Sequence, residues 1–422
     1  MAAKPAELGS RPDPRAISRA GCTTKVGGVP DRRDRRDAVK GSAGERNVLR
    51  QLYDQGQSPW VDDISRKLLA SGKLAVLVEQ GILGLTSNPA IFRRAIGGSS
   101  TYNDEIRRLA REGKSGADIY DTVVLDDIRS AATILRPVYD AHNGHDGLVS
   151  IEVPPSMAYD AEQTLREARR ILASLDLPNV MIKIPGTAEG IAAIQQATAG
   201  GINVTVTVLF SRQSYRQAAQ AYVAGLEQRV SRGLPVDRIA SVAAFYISRV
   251  DAAVDSRLGR LLAATDDEKQ KTELRALQGK AAIANAKLAY AAFQEIFSGP
   301  RWEALSQVGA RAQRCLWAST GSKNPAYSDV RYVEELIGPD TVNTMPPTTI
   351  TAFLDHGRVE RTLDRDIDQA CEVVAALDRV GISLDEIAEQ LQRDTLRRFS
   401  EDHDELINTI SARRDETMAH SG

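Results

Sequence analysis

The chain has 422 residues, of which 42% are hydrophobic, and a formal net charge of −2. That length suits an α/β barrel of roughly 250 residues carrying additional helices. The near-balanced charge excludes long-range attraction to nucleic acid or to an anionic membrane, so the expected partners are small molecules or other protein surfaces. Three widely spaced cysteines, Cys22, Cys315 and Cys371, exclude a disulfide framework and a four-cysteine zinc site, and fit a reducing, cytoplasmic setting. No apolar run approaches the ~20 residues that a bilayer span needs, and the N-terminus lacks the apolar core of a secretory signal.

Residues 1–46 mix Pro, Gly and Ser with charge runs such as D-R-R-D-R-R-D at 31–37, without apolar periodicity. Such a segment cannot bury enough surface to offset its ordering entropy, so a flexible basic arm is expected. From Asn47 onward short apolar strands alternate with amphipathic helices, the pattern of a parallel α/β fold. Strands are predicted at 58–62, 84–88, 147–153 and 179–184, then at 202–210, 240–247, 314–320 and 341–345. Eight strands close a (β/α)8 barrel. Helices are predicted over Ile64–Glu79 and Asp160–Leu175, with a longer helical stretch, Asp251–Phe297, packed outside the barrel. Two more helices are read from Ser383 to Arg414, the barrel domain covering 47–415 and a flexible end 416–422.

His142 and His145 form H-N-G-H between a helical segment and a strand, with no third ligand nearby in sequence. A solvated turn is therefore expected there, not a metal pair. Neither G-x-G-x-x-G after a strand nor a P-loop is present, so no nucleotide or nicotinamide cofactor is expected.

In a barrel, catalytic groups gather at the C-terminal ends of the strands. Lys183 lies in V-M-I-K-I-P-G, flanked by aliphatic residues. A lysine in such a strand is costly unless it is paired, at a strand end, or chemically used. Burial and neighbouring charges are expected to lower its pKa towards neutrality and make it a nucleophile. The alternative, a structural pairing with an inward carboxylate, weighs about equally on composition alone. Comparable strand ends carry Asp62, Glu152, Asn88, Thr205 and Thr207. Together they supply the amine, proton shuttle and base that imine chemistry needs. Asp63 is expected to turn away from the barrel by strand alternation.

The stretches T-S-N-P-A-I-F (86–92), S-I-E-V-P-P-S-M-A-Y-D (150–160), I-K-I-P-G-T-A-E-G (182–190) and I-N-V-T-V-T-V-L-F-S (202–211) resemble the transaldolase family. So do S-R-V-D (248–251), W-A-S-T-G-S-K-N-P (317–325) and N-T-M-P-P-T-T (343–349), the likeness running in order from about 50 to 410. The resemblance implies transfer of a dihydroxyacetone unit between sugar phosphates, in the non-oxidative pentose phosphate pathway, without metal or cofactor. It implies that Lys183 forms the Schiff base and Asp62 removes the C4 hydroxyl proton. Glu152 would act through a water held by Thr207, and Asn88 would bind donor hydroxyls. Arg249 matches the phosphate arginine, with further contacts from Ser319 and Lys323. An ion pair to Asp251 or Asp255 is the structural alternative for Arg249.

Three positions depart from the family pattern: Thr205 where asparagine is usual, Ala244 where serine is usual, and Tyr246 where phenylalanine is usual. Thr205 and Tyr246 remain expected substrate contacts, with altered selectivity as the consequence. The nearest rival is a lysine-dependent aldolase releasing free dihydroxyacetone; the other is a barrel kept as a binding scaffold. The sequence leaves monomer and homodimer both open.

Overall fold

The computed structural model describes residues 47–419, and the expected arm, 1–46, lies outside the described residues. Eight parallel strands close on themselves in sequence order: β1 (Gln57–Asp62), β2 (Gly84–Thr86), β3 (Leu148–Glu152), β4 (Val180–Pro185), β5 (Val204–Leu209), β6 (Ser241–Tyr246), β7 (Arg314–Ala318) and β8 (Thr341–Met345). The chain is thus a (β/α)8 barrel. Its strands are short and nearly all buried, as V-T-V-T-V-L of β5 illustrates, because a parallel barrel is covered on both faces. The β1–β8 pairing, from Gln57 opposite Thr341 to Val61 opposite Met345, closes the ring.

The barrel interior is graded from bottom to top. At the N-terminal end a buried ion pair joins Arg314 of β7 to Asp146 at 3.2 Å. Ser58 Oγ and Trp60 Nε1 also donate to that carboxylate, at 2.9 and 3.2 Å. Gly84 lies against the Trp60 ring, where a Cβ would come within 2.4 Å of the indole. Above this floor, Ser150 Oγ meets Thr205 Oγ1 at 2.7 Å. The uppermost inward residues are Asp62, Glu152 and Lys183, at or near the ends of their strands.

The H-N-G-H turn belongs to this floor and is less solvated than expected. His142 Nδ1 lies 3.1 Å from Tyr53 Oη, and Arg314 donates to the His145 carbonyl at 2.6 Å. Arg314 beside it, together with burial, pushes the His145 imidazole down to about 3, so the ring stays neutral. Among the described residues no three His, Cys, Asp or Glu side chains form a group that could hold a metal ion. No described helix is long and apolar enough to cross a membrane.

Two helical expectations need correction, and a third gains detail. The segment read as one helix, Ile64–Glu79, is two, Arg66–Ala70 and Lys73–Gln80, because Gly72 takes φ 73° between them. The outer stretch Asp251–Phe297 is three helices, Ser248–Ala264, Glu268–Leu277 and Ala281–Ile296. Conversely, the segment read as two helices after Ser383 is one 36-residue helix, Leu384–Ala419. It contains no Gly or Pro, so its polar stretch at 400–405 does not interrupt it. This C-terminal helix extends into the expected flexible end, as far as Ala419. It packs against the helices Asn103–Arg111 and Gly116–Ala141 and also reaches β5.

Candidate active site

The pairing of β3 with β4 puts Glu152 opposite Lys183, and alternation turns both inward at the same height. Lys183 Nζ stands 3.5 Å from Glu152 Oε2, and each side chain is 4% exposed. Nζ also donates to the Ser87 carbonyl at 2.9 Å. Beyond the ion pair, neither Glu152 oxygen has a hydrogen-bond partner among the described residues. Burial therefore dominates and pushes the Glu152 carboxyl up to about 7, although Lys183 opposes the rise.

Lys183 departs from expectation. Burial does disfavour its ammonium, but facing Tyr246, Glu152 and Asp62 outweigh it, and Lys183 lies above the ordinary lysine value. The resting group is an ammonium held against a carboxylate. Asp62, half-buried at the end of β1, is raised by burial against the opposing pull of Lys183 and Thr86. Thr86 Oγ1 donates to Asp62 Oδ1 at 2.7 Å and lies 2.6 Å from Thr344 Oγ1, which fixes the carboxylate's outlook.

A cavity of about 550 Å³ opens above these residues, with Asp62, Asn88, Lys183, Tyr246, Arg249, Ser319 and Lys323 on its wall. Asn88 spends its carbonyl oxygen capping the Ile91 amide at 3.0 Å, leaving its NH2 for the cavity. Arg249, in the first turn of the helix Ser248–Ala264, makes no ion pair with Asp251 or Asp255. Asp251 accepts from the Ala282 amide and Tyr332 Oη, and Asp255 from the Gly279 amide and Tyr327 Oη. The guanidinium lies 5.6 Å from the Tyr246 ring centre and donates to Thr395 Oγ1 at 3.1 Å. Ser319 takes φ 55°, and its carbonyl accepts from Ser248 Oγ at 2.6 Å, tying the ends of β6 and β7 together.

Glu152, Thr205 and Thr207 are not on the cavity wall. Glu152 adjoins Lys183, and Thr207 Oγ1 lies 3.2 Å from Tyr246 Oη. Thr205, an expected substrate contact, pairs in register with Lys183, and its hydroxyl meets Ser150 Oγ and lies 3.5 Å from Met181 Sδ. Asp63, expected to face away, is on the wall: β1 ends at Asp62, so alternation no longer governs the next residue. Arg94 joins it there through a 3.0 Å ion pair. Sequence reasoning missed Arg94 and Phe399, both on the wall. For Arg94 the signal was its position two residues beyond T-S-N-P-A-I-F; for Phe399 there was none.

A buried lysine paired with Glu152, and opening with Asp62 to a cavity at the C-terminal ends of the strands, defines a (β/α)8 barrel with an enzyme's site. The family model for transaldolase/fructose-6-phosphate aldolase matches residues 59–410. A transaldolase of Trichodesmium erythraeum is 46% identical over 367 residues, covering 86% of this chain and 97% of the relative. A transaldolase 2 of a Nostoc species is 45% identical over 371 residues, covering 87% and 97% respectively. A transaldolase 1 of Streptomyces avermitilis is 46% identical over 365 residues, covering 86% and 94%. The chain belongs to the transaldolase/fructose-6-phosphate aldolase family, and is an enzyme of its transferase kind.

Proposed function

We propose that the protein moves a dihydroxyacetone unit from a ketose phosphate to an aldose phosphate through a Schiff base on Lys183. The observation that carries this reading is the 3.5 Å pairing of Lys183 Nζ with a carboxyl raised to about 7, beneath a cavity that also exposes Asp62. A ketone entering the cavity displaces nothing covalent: the ammonium passes a proton to Glu152, and the freed amine attacks C2. Glu152 then gives its proton to the alkoxide oxygen, takes a second proton from the attached nitrogen and passes it to the same oxygen, which leaves as water and gives the iminium.

Asp62 takes the C4 hydroxyl proton as the C3–C4 bond breaks. The bonding electrons move into the iminium, an enamine remains on Lys183, and the shortened aldose phosphate departs. The enamine attacks the next aldehyde, Asp62 returns its proton to the new hydroxyl, and hydrolysis frees Lys183. Thr207 supports the proton relay, while Asn88 and Tyr246 face the sugar chain. Arg249, with Lys323 and Ser319, offers the charge and donors that a phosphate needs. Sedoheptulose 7-phosphate with glyceraldehyde 3-phosphate, giving erythrose 4-phosphate and fructose 6-phosphate, fits this scheme.

The test is acceptor dependence. Turnover of fructose 6-phosphate should require an added aldose phosphate; equal release of free dihydroxyacetone without acceptor would assign the chain to the aldolase side of its family.

A further inference from the structure

We propose that Thr395 is a positioning residue that sets the Arg249 guanidinium for substrate phosphate, making the C-terminal helix part of the specificity machinery. The proposal rests on the reading of Arg249 as the phosphate cation. Gln392, Thr395 and Phe399 stand at i, i+3 and i+7 of the helix Leu384–Ala419 and so share one face. All three meet the site. Gln392 Nε2 donates to the Gly186 and Val208 carbonyls at 3.1 and 3.2 Å, just beyond the β4 lysine and the β5 threonine. Phe399 is on the cavity wall. Between them Thr395, 1% exposed, accepts from Arg249 Nη1 at 3.1 Å.

The two anchors act differently. Val208 carries φ 54°, a strained value for a β-branched residue, where the β5–β6 register shifts. Gln392 grips that carbonyl and thereby fixes the helix to the strand ends. Thr395 then presents a short hydroxyl of set position to Arg249. No carboxylate pairs with Arg249 among the described residues, so the hydroxyl orients the cation without neutralising it. Among the described residues only one of its five N–H donors is engaged, by Thr395, which leaves the others for an anion's oxygens. A carboxylate at 395 would instead compete with the phosphate for the same fork.

The experiment measures kcat/KM for erythrose 4-phosphate and for unphosphorylated erythrose, with saturating fructose 6-phosphate as donor. Thr395→Val should lower the value for erythrose 4-phosphate by about five- to tenfold, through KM, since one orienting hydrogen bond is lost. The value for erythrose should not move, and Thr395→Ser should restore the phosphate preference. Thr395→Ala gives a second reading of the same ratio if the valine variant folds poorly. An equal loss for both acceptors, or no loss, would overturn the proposal. Arg249→Gln separates the two claims: if it abolishes the preference while Thr395→Val does not, only the role of Thr395 fails. If the preference survives Arg249→Gln, the phosphate reading fails and takes the proposal with it.

Discussion

Lys183 and Glu152 face each other across the β3–β4 pairing, Nζ 3.5 Å from Oε2, with no other polar partner for the carboxylate among the described residues. The pair shares a proton between a raised amine and a raised acid, and its chemistry depends on how many protons it holds. With one, Lys183 can pass its proton to Glu152 and attack; with two, the ammonium has nowhere to send it.

This predicts an acid limb in kcat/KM. As pH falls through about 7 the free enzyme's Glu152 takes up a proton and activity drops. Glu152→Gln should lower the rate and remove that limb. The remaining acid limb then belongs to Asp62, whose carboxylate must be ionised to accept the C4 hydroxyl proton. A full pH–rate profile of both proteins checks it; an unchanged limb in the variant would assign the titration to another group.

Asp62→Asn keeps an acceptor for Thr86 Oγ1 but loses the base. The expected result is a fall in kcat of about 10²–10⁴ with imine formation intact. Single-turnover kinetics with fructose 6-phosphate would show binding and imine formation without release of the aldose phosphate.

Thr205 is predicted to be structural. Its hydroxyl pairs with Ser150 beneath the cavity, so Thr205→Val should cost about 1 kcal/mol of stability and leave kcat/KM little changed. Urea unfolding beside steady-state assays tests this; a selective loss of kcat/KM would restore Thr205 to the substrate's surroundings.

The barrel floor should govern stability, not chemistry. Asp146 is fully buried, and although burial opposes it, Arg314, His145 and Ser58 hold its carboxyl below the usual range. A depressed folded-state value means that this contribution is present above the unfolded carboxyl's pKa and is lost as pH falls through the folded one. Arg314→Met strands the buried charge and should cost about 3–5 kcal/mol near neutral pH. Adding Asp146→Asn should recover part of it, measurable as a shift in the urea midpoint.

What could be read from the sequence followed from how each element is built. Buried parallel strands leave continuous apolar runs, so all eight were visible, and Lys183 and Glu152 stood out as charges inside such runs. The C-terminal helix gave no comparable contrast. Gln392, Thr395 and Phe399 are ordinary residues for an amphipathic helix, and only the tertiary fold brings them to the strand ends. Asp63 departs from the alternation expected of it because β1 ends at Asp62. The Lys183 shift runs opposite to expectation because burial is legible from flanking residues, whereas Tyr246, Glu152 and Asp62 on other strands are legible only in space.

The most direct measurement is borohydride trapping with fructose 6-phosphate, followed by peptide mass mapping. A reduced three-carbon adduct on Lys183 is the predicted result, and it would establish the imine, the cleavage step and the residue in one experiment. Folded protein with excess donor and no adduct on Lys183 would contradict the Schiff-base mechanism for this chain.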